Sequence, residues 1–184
     1  KQDEQRLHYA NERLQPQLIE IGLLQSQLRE QAIRDPLTNL FNRRYLEETL
    51  DRELARARRE AYPVCIIMLD LDHFKKVNDT YGHDGGDQVL KALANTLSEQ
   101  CRRGDFACRY GGEEFVIVMP NISKHTAYER AKKLRRRLNS LKIPYEGHTL
   151  TTTVSMGIAC YPMNGETRPA LLRAADRAMY AAKE

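Results

Sequence analysis

The residues best suited to chemistry are acidic and fall in two places. Asp70 lies near the end of the apolar run "YPVCIIMLDLD", and Asp72 follows two residues on. Glu113 and Glu114 come directly after Gly111-Gly112 in "RYGGEEF". A Gly-Gly pair already suffices for a hairpin turn, so two carboxylates between that turn and the apolar strand "FVIVMP" need another reason. Side chains alternate along a strand, so Asp70 and Asp72 point the same way, with the Leu71 carbonyl between them. Crowded carboxylates raise one another's pKa and are tolerated where a cation neutralises them. Mg²⁺ takes one or two carboxylates and fills its shell with backbone oxygen, water and substrate phosphates. Either pair alone reads as an exposed acidic strand end; together they read as a metal–nucleotide site.

Between the pairs lies "DHFKKVNDTYGHDGGD". Backbone N–H groups in the turn after Asp72 can form an anion-binding concavity, and Lys75 and Lys76 add charge. Asn78 and Asp87 complement guanine: an amide for O6 or N7, and a carboxylate that accepts from N1–H and the 2-amino group. Gly82, Gly85 and Gly86 allow close approach of a ligand.

The elements that must position these groups follow from pattern. Residues 64–71 form a continuous apolar run, expected as a buried central strand. "DFACRY" and "FVIVM" pair across Gly111-Gly112 beside it, which brings Glu113 and Glu114 to the end of the first strand. "HFKKVNDTYGHDGGD" is expected as a loop with a short helical turn, followed by an amphipathic helix with Val89, Leu90, Leu93 and Leu97 inward. A helix capped by Asn42 runs to about residue 59. "SKHTAYERAKKLRRRLNSL" is a helix with a basic face, "LTTTVSMGIACY" one long strand rich in β-branched residues, and Thr167 caps the last helix. Helix, strand, helix, hairpin, helix, strand, helix describes an α+β ferredoxin-like sandwich.

Residues 1–33 read as one long helix. Leu7, Leu14, Ile21 and Leu28 recur every seven residues, with Asn11, Leu18, Gln25 and Ala32 at the second seam position. That is a coiled-coil pattern with polar interruptions, awkwardly containing Pro16, and it reads as a parallel dimer stalk.

The chain of 184 residues has a net charge of +4, too weak a bias to indicate nucleic acid; "KKLRRR" reads as one solvated helix face. There is neither a membrane-length apolar run nor a signal-peptide core, and the helical start suggests a piece of a longer protein. Cys65, Cys101, Cys108 and Cys160 form no CxxC pair; all four are expected reduced, without metal or catalytic role, which points to the cytosol.

"DPLTNLFNRR", "DLDHFKKVNDTYGHDGGD", "RYGGEEF", "VSMGIA" and "ADRAMYAAK", in this order from Asp35 to the C-terminus, resemble the GGDEF family, the diguanylate cyclases. The resemblance implies a fold with a central, mainly antiparallel sheet flanked by helices, similar to nucleotidyl cyclases and polymerase palms. It implies a catalytic domain over 34–184 behind a signalling helix, and a reaction joining two GTP molecules into cyclic di-GMP with release of two pyrophosphates. Asp70 and Glu113 would hold Mg²⁺ (or Mn²⁺) through carboxylates and Leu71 through its carbonyl. Glu114 would face the ribose 3′-hydroxyl, and Asn78 and Asp87 would read guanine. The backbone at His73, Phe74 and Lys75 would hold the terminal phosphates, with Lys183 reaching them from the last helix. Arg102 and Asp105, in an RxxD arrangement, would form an inhibitory site for the product; Arg130, Lys133, Arg136 and Arg137 are candidates to complete it. The expected partners are GTP, cyclic di-GMP and a second copy through the N-terminal helix, with neither nucleic acid nor a membrane segment in this piece. The expected location is cytoplasmic, with membrane tethering open for a longer protein. Glu stands at 113 where Asp is commoner, and Asn39 replaces a usual Gly. The chain stops at Glu184, short of a basic residue that usually aids phosphate binding, so weakened GTP affinity is expected. The competing expectation is a silent domain that only binds GTP or cyclic di-GMP.

Overall fold

The computed structural model describes the backbone of residues 2–183 and the side chains of residues 13–183. The backbone divides into two compact units that meet between Arg34 and Asp35.

The first unit is a single helix, α1 (Gln2–Ile33), continuous across Pro16. Its seam residues Leu14, Leu18, Ile21 and Leu28 are all at least half exposed. The seam positions Leu7 and Asn11 lie outside the described side chains.

The second unit is a five-stranded sheet between two helical layers. Its elements are β1 (Phe41–Asn42), α2 (Arg43–Glu60), β2 (Val64–Leu71), α3 (Phe74–Gln100), β3 (Phe106–Arg109), β4 (Glu114–Pro120) and α4 (Lys124–Asn139). They continue with β5 (Ile143–Tyr145), β6 (His148–Leu150), β7 (Val154–Tyr161) and α5 (Arg168–Lys183). The sheet order is β1-β3-β4-β2-β7, antiparallel except for the short β1–β3 pair. β5 and β6 form a separate ribbon. The expected α+β sandwich with a central, mostly antiparallel sheet is thus the observed one.

All eight residues of β2 are buried, as its unbroken apolar run requires. Cys65, Ile67, Leu69 and Leu71 face α3 and α4 on one side. Val64, Ile66 and Met68 face α2 and α5 on the other. Each fully buried Ile or Leu here contributes roughly 1.5–3 kcal/mol relative to exposure. Asn42 caps α2 by accepting the Tyr45 N–H, and Thr167 Oγ1 accepts the Ala170 N–H ahead of α5.

Several expectations need correction. The segment after Asp72 is helical: α3 starts at Phe74 and is interrupted only at Gly82, whose φ of 74° is non-helical. The long strand is divided, because the chain leaves β6 and passes through Thr151, Thr152 and Thr153 before β7 begins. The reduced reading fails for one thiol pair. Cys65 and Cys160 are direct cross-strand partners with Cα atoms 4.0 Å apart and are joined as a disulfide. That removes the thiol argument for the cytosol. Cys101 and Cys108 are free, and burial pushes their pKa values up to about 11 and about 12.

Candidate active site

The acidic groups meet where β2 ends. In the ladder Asp70 stands opposite Glu114 of β4 and opposite Ser155 of β7. Side-chain alternation puts these three on the face shared with α2 and α5. Asp70 is only 9% exposed, and Lys183 Nζ at the end of α5 donates to its Oδ1 at 2.7 Å. Leu71 belongs to the opposite backbone parity: its N–H donates to the Glu113 carbonyl at 3.4 Å, so its own carbonyl also points toward β4.

The electrostatics record the crowding. Burial, followed by the charges of Asp70 and Asp176, raises the Glu114 pKa, while Lys183 and Arg43 oppose the rise. Burial and the Asp70 charge likewise raise Glu113. Burial works to lower the Lys183 pKa, but the hydrogen bond and charge of Asp70 win and raise it. The Lys183 ammonium therefore rests on the acidic cluster as well as on the hollow where phosphate binding was expected. Among the described residues, no three His, Cys, Asp or Glu side chains stand close enough to hold an ion by themselves.

Asp72 points to the same face as Asp70 but is committed elsewhere. Its Oδ1 accepts from Ser155 Oγ at 2.7 Å and its Oδ2 from Thr153 Oγ1 at 2.6 Å. Asp72, His73, Ser155 and Lys183 line a hollow of about 330 Å³. His73, in the left-handed region at φ 57°, turns the chain into α3. The His73 carbonyl accepts from the Lys76 and Val77 N–H groups, leaving the Phe74 and Lys75 N–H groups with no intrachain acceptor among the described residues. The Lys75 side chain is exposed.

The break at Gly82 folds the two arms of α3 together, so that Asn78 of the first arm abuts Gly86 of the second. A Cβ at Gly86 would collide with the Asn78 amide and the Phe74 ring. That glycine lets the first arm pack against the second one residue before the half-buried Asp87.

At the other end of α3, the Arg102 N–H donates to Asp105 Oδ2 at 2.9 Å, and Arg130 Nη2 donates to the same oxygen at 2.6 Å. Arg102, Arg130 and Lys133 line a hollow of about 240 Å³. Arg137 is instead paired with Glu99 at 2.8 Å, and Arg136 does not line the hollow.

Sequence reasoning missed two supports. Arg109 donates through Nε and Nη2 to the Gly112 carbonyl at 3.1 and 2.8 Å, and through Nη1 to both Asp35 oxygens at 3.1 and 3.3 Å. The glycine turn is thereby tied to the start of the domain. Burial works to raise the Asp35 pKa, but hydrogen bonds from Thr38 and Arg109 hold it below the usual value. Arg43, with its guanidinium 4.5 Å from the Tyr110 ring centroid, supplies positive charge near Glu114. Arg109 inside "RYGGEEF" was a visible signal; its distant partner was not.

The chain is 40% identical over 155 residues to diguanylate cyclase DgcP of Pseudomonas aeruginosa, covering 84% of this chain and 23% of that protein. It is 40% identical over 156 residues to the response regulator PleD of Caulobacter vibrioides, covering 84% of this chain and 34% of that one. The chain thus spans about a quarter to a third of these relatives. Among solved structures, the coiled coil and GGDEF domain of DgcB from Caulobacter crescentus, in complex with c-di-GMP, aligns with a TM-score of 0.83 at 32% identity. That alignment covers 93% of this chain and 92% of that one. Diguanylate cyclase SiaD of Pseudomonas aeruginosa, in complex with its activator SiaC, aligns with a TM-score of 0.81 at 35% identity, covering 97% of this chain and 67% of that one. The family model described as diguanylate cyclase, GGDEF domain, matches residues 32–184, so this chain belongs to the GGDEF family.

Proposed function

We propose that this chain is the catalytic part of a diguanylate cyclase, which condenses two GTP molecules into cyclic di-GMP and two pyrophosphates. The observation that carries this reading is the convergence of Asp70, Glu113 and Glu114 at the end of β2 in a GGDEF-family chain. The donor set is all oxygen, and its glutamates carry raised pKa values, so it suits a hard divalent cation. Asp70, Glu113 and the Leu71 carbonyl would hold Mg²⁺ or Mn²⁺. Bound there, the cation would offset charge developing at the phosphate and on the leaving pyrophosphate.

The remaining roles fall to the chain itself. Asn78 and Asp87 read guanine across the fold in α3. The free N–H groups of Phe74 and Lys75 and the Lys183 ammonium hold the terminal phosphates, which requires Lys183 to exchange Asp70 for phosphate. Glu114 accepts the proton of the 3′-hydroxyl, and that oxygen attacks the α-phosphorus of the facing GTP as pyrophosphate leaves. Each domain presents one GTP, so two copies must face each other, and positioning is the main catalytic contribution. Pairing of α1 supplies the second copy, with residues 1–33 as signalling stalk and 34–184 as catalytic domain. Arg102 and Asp105, with Arg130 and Lys133 beside them, form the product-inhibition site. The described residues contain no helix long and apolar enough to cross a membrane, and a cytoplasmic location fits a GTP-consuming reaction.

Incubation with GTP and Mg²⁺ should yield cyclic di-GMP and pyrophosphate by chromatography and mass spectrometry. Glu114→Gln should lower turnover by about 10²-fold or more while the fold persists by circular dichroism. Bound GTP without product at high protein concentration would instead establish a binding module.

A further inference from the structure

β7 is the outer strand of the sheet, and its free edge is blunted at both ends but open in the middle. The Cys160 N–H donates to Asn164 Oδ1 at 2.9 Å, and the Cys160 carbonyl accepts the Asn164 N–H at 2.8 Å. At the other end the Val154 N–H donates to Asn139 Oδ1 at 3.2 Å. In an antiparallel ladder a residue directs both backbone groups to one side, and its neighbours direct theirs to the other. The outward residues are therefore Val154, Met156, Ile158 and Cys160. The bond from the Asp72 N–H to the Thr153 carbonyl at 2.9 Å agrees, because it puts the odd-numbered residues on the β2 side. Two asparagines thus occupy the Val154 N–H and both backbone groups of Cys160. Among the described residues nothing meets the outward N–H and C=O groups of Met156 and Ile158.

The open stretch adjoins a small hollow between the strand and α4. Met156, Ile158, Tyr128, Ala131, Lys132 and Arg135 line about 100 Å³. Met156 and Ile158 are half-buried, and Tyr128 is 57% exposed. Lys132 and Arg135 flank the hollow without an anionic partner among the described residues. An uncovered edge normally invites strand addition and is blunted along its length; here the blunting stops where the hollow begins.

We infer that the middle of the β7 edge docks an extended acidic segment of another protein as an added strand. The four open backbone groups supply the ladder bonds. An apolar side chain of the segment fills the hollow against Met156, Ile158 and Tyr128. Side chains two residues to either side fall on the same face of the added strand, and acidic ones there meet Lys132 and Arg135. A second copy of this chain is a poorer occupant, because a two-fold edge pairing would oppose Lys132 and Arg135 to their own copies. This mode of recognition draws affinity from main-chain bonds and specificity from alternate side chains.

The probe is the peptide acetyl-Thr-Asp-Thr-Val-Thr-Asp-Thr-amide, added to the whole 184-residue chain. Amide hydrogen exchange read by NMR should slow by about tenfold at Met156 and Ile158, with Ser155 and Gly157 unaffected. Replacing both peptide aspartates by lysine, or combining Lys132→Glu with Arg135→Glu on exposed positions of α4, should weaken binding by about tenfold. Unchanged exchange at millimolar peptide, or equal protection by the lysine peptide, overturns the inference. Met156 and Ile158 amides already protected without peptide, in a protein whose sedimentation rises with concentration, would assign the edge to a second copy.

Discussion

Glu114 faces Asp70 across the ladder and Asp176 from α5, with Lys183 and Arg43 as the opposing charges. Its pKa, like that of Glu113, lies above the ordinary 4.5. A carboxyl raised in this way binds its proton more tightly folded than unfolded. Stability therefore falls as pH rises from the ordinary value through the raised one. In the metal-free protein, Glu114→Gln should flatten that decline and raise Tm at neutral pH. Thermal melts of both proteins from pH 4 to pH 8 would test this, and a lower Tm for the variant at neutral pH would contradict it. The residue types were legible here because carboxylates after a glycine turn have no structural purpose. The ion pair from Lys183 to Asp70 was not, because 113 residues separate them.

At the scale of elements, α5 is the piece whose placement the site depends on, and one residue lets it approach. A Cβ at Gly157 of β7 would run into the backbone of Ala175 and Met179 on α5. Neither partner is the flexible end of a side chain, so the helix itself must retreat. Gly157→Ala should cost about 1–3 kcal/mol, read from the shift in denaturant midpoint, and should loosen the contact of Lys183 with Asp70. An unchanged midpoint would show that α5 does not depend on this close approach. Strong periodicity made α2, α4, α5 and the second arm of α3 readable from sequence. The first arm of α3 was not, because Gly82, Gly85 and Gly86 imitate a loop while only Gly82 breaks the helix. The threonine run into β7 reads as one strand by propensity, yet Thr151–Thr153 serves as the passage from the β6 ribbon.

At the scale of the molecule, α1 exposes an apolar seam at Leu14, Leu18, Ile21 and Leu28. If that seam pairs two copies, it raises the effective concentration of one half-site for the other. Ile21→Glu with Leu28→Glu should leave the melting of the unit over Asp35–Glu184 unchanged. Specific activity should then become dependent on protein concentration in the micromolar range, where the parent chain is already saturated. The same concentration dependence in both proteins, measured by pyrophosphate release, would remove the stalk from the reaction.

Sequence alone determined the α+β class, the buried central strand, the boundaries of most helices and the acidic pairs. Each rests on local information: an unbroken apolar run, helical spacing, a capping residue, a glycine turn followed by carboxylates. Only the tertiary structure decided which charges meet. It paired Arg109 with Asp35, Arg130 with Asp105 and Lys183 with Asp70, and it joined Cys65 to Cys160. Those partners lie 74, 25, 113 and 95 residues apart. Sequence spacing carries no information about such distances until strand register and helix packing bring the groups together.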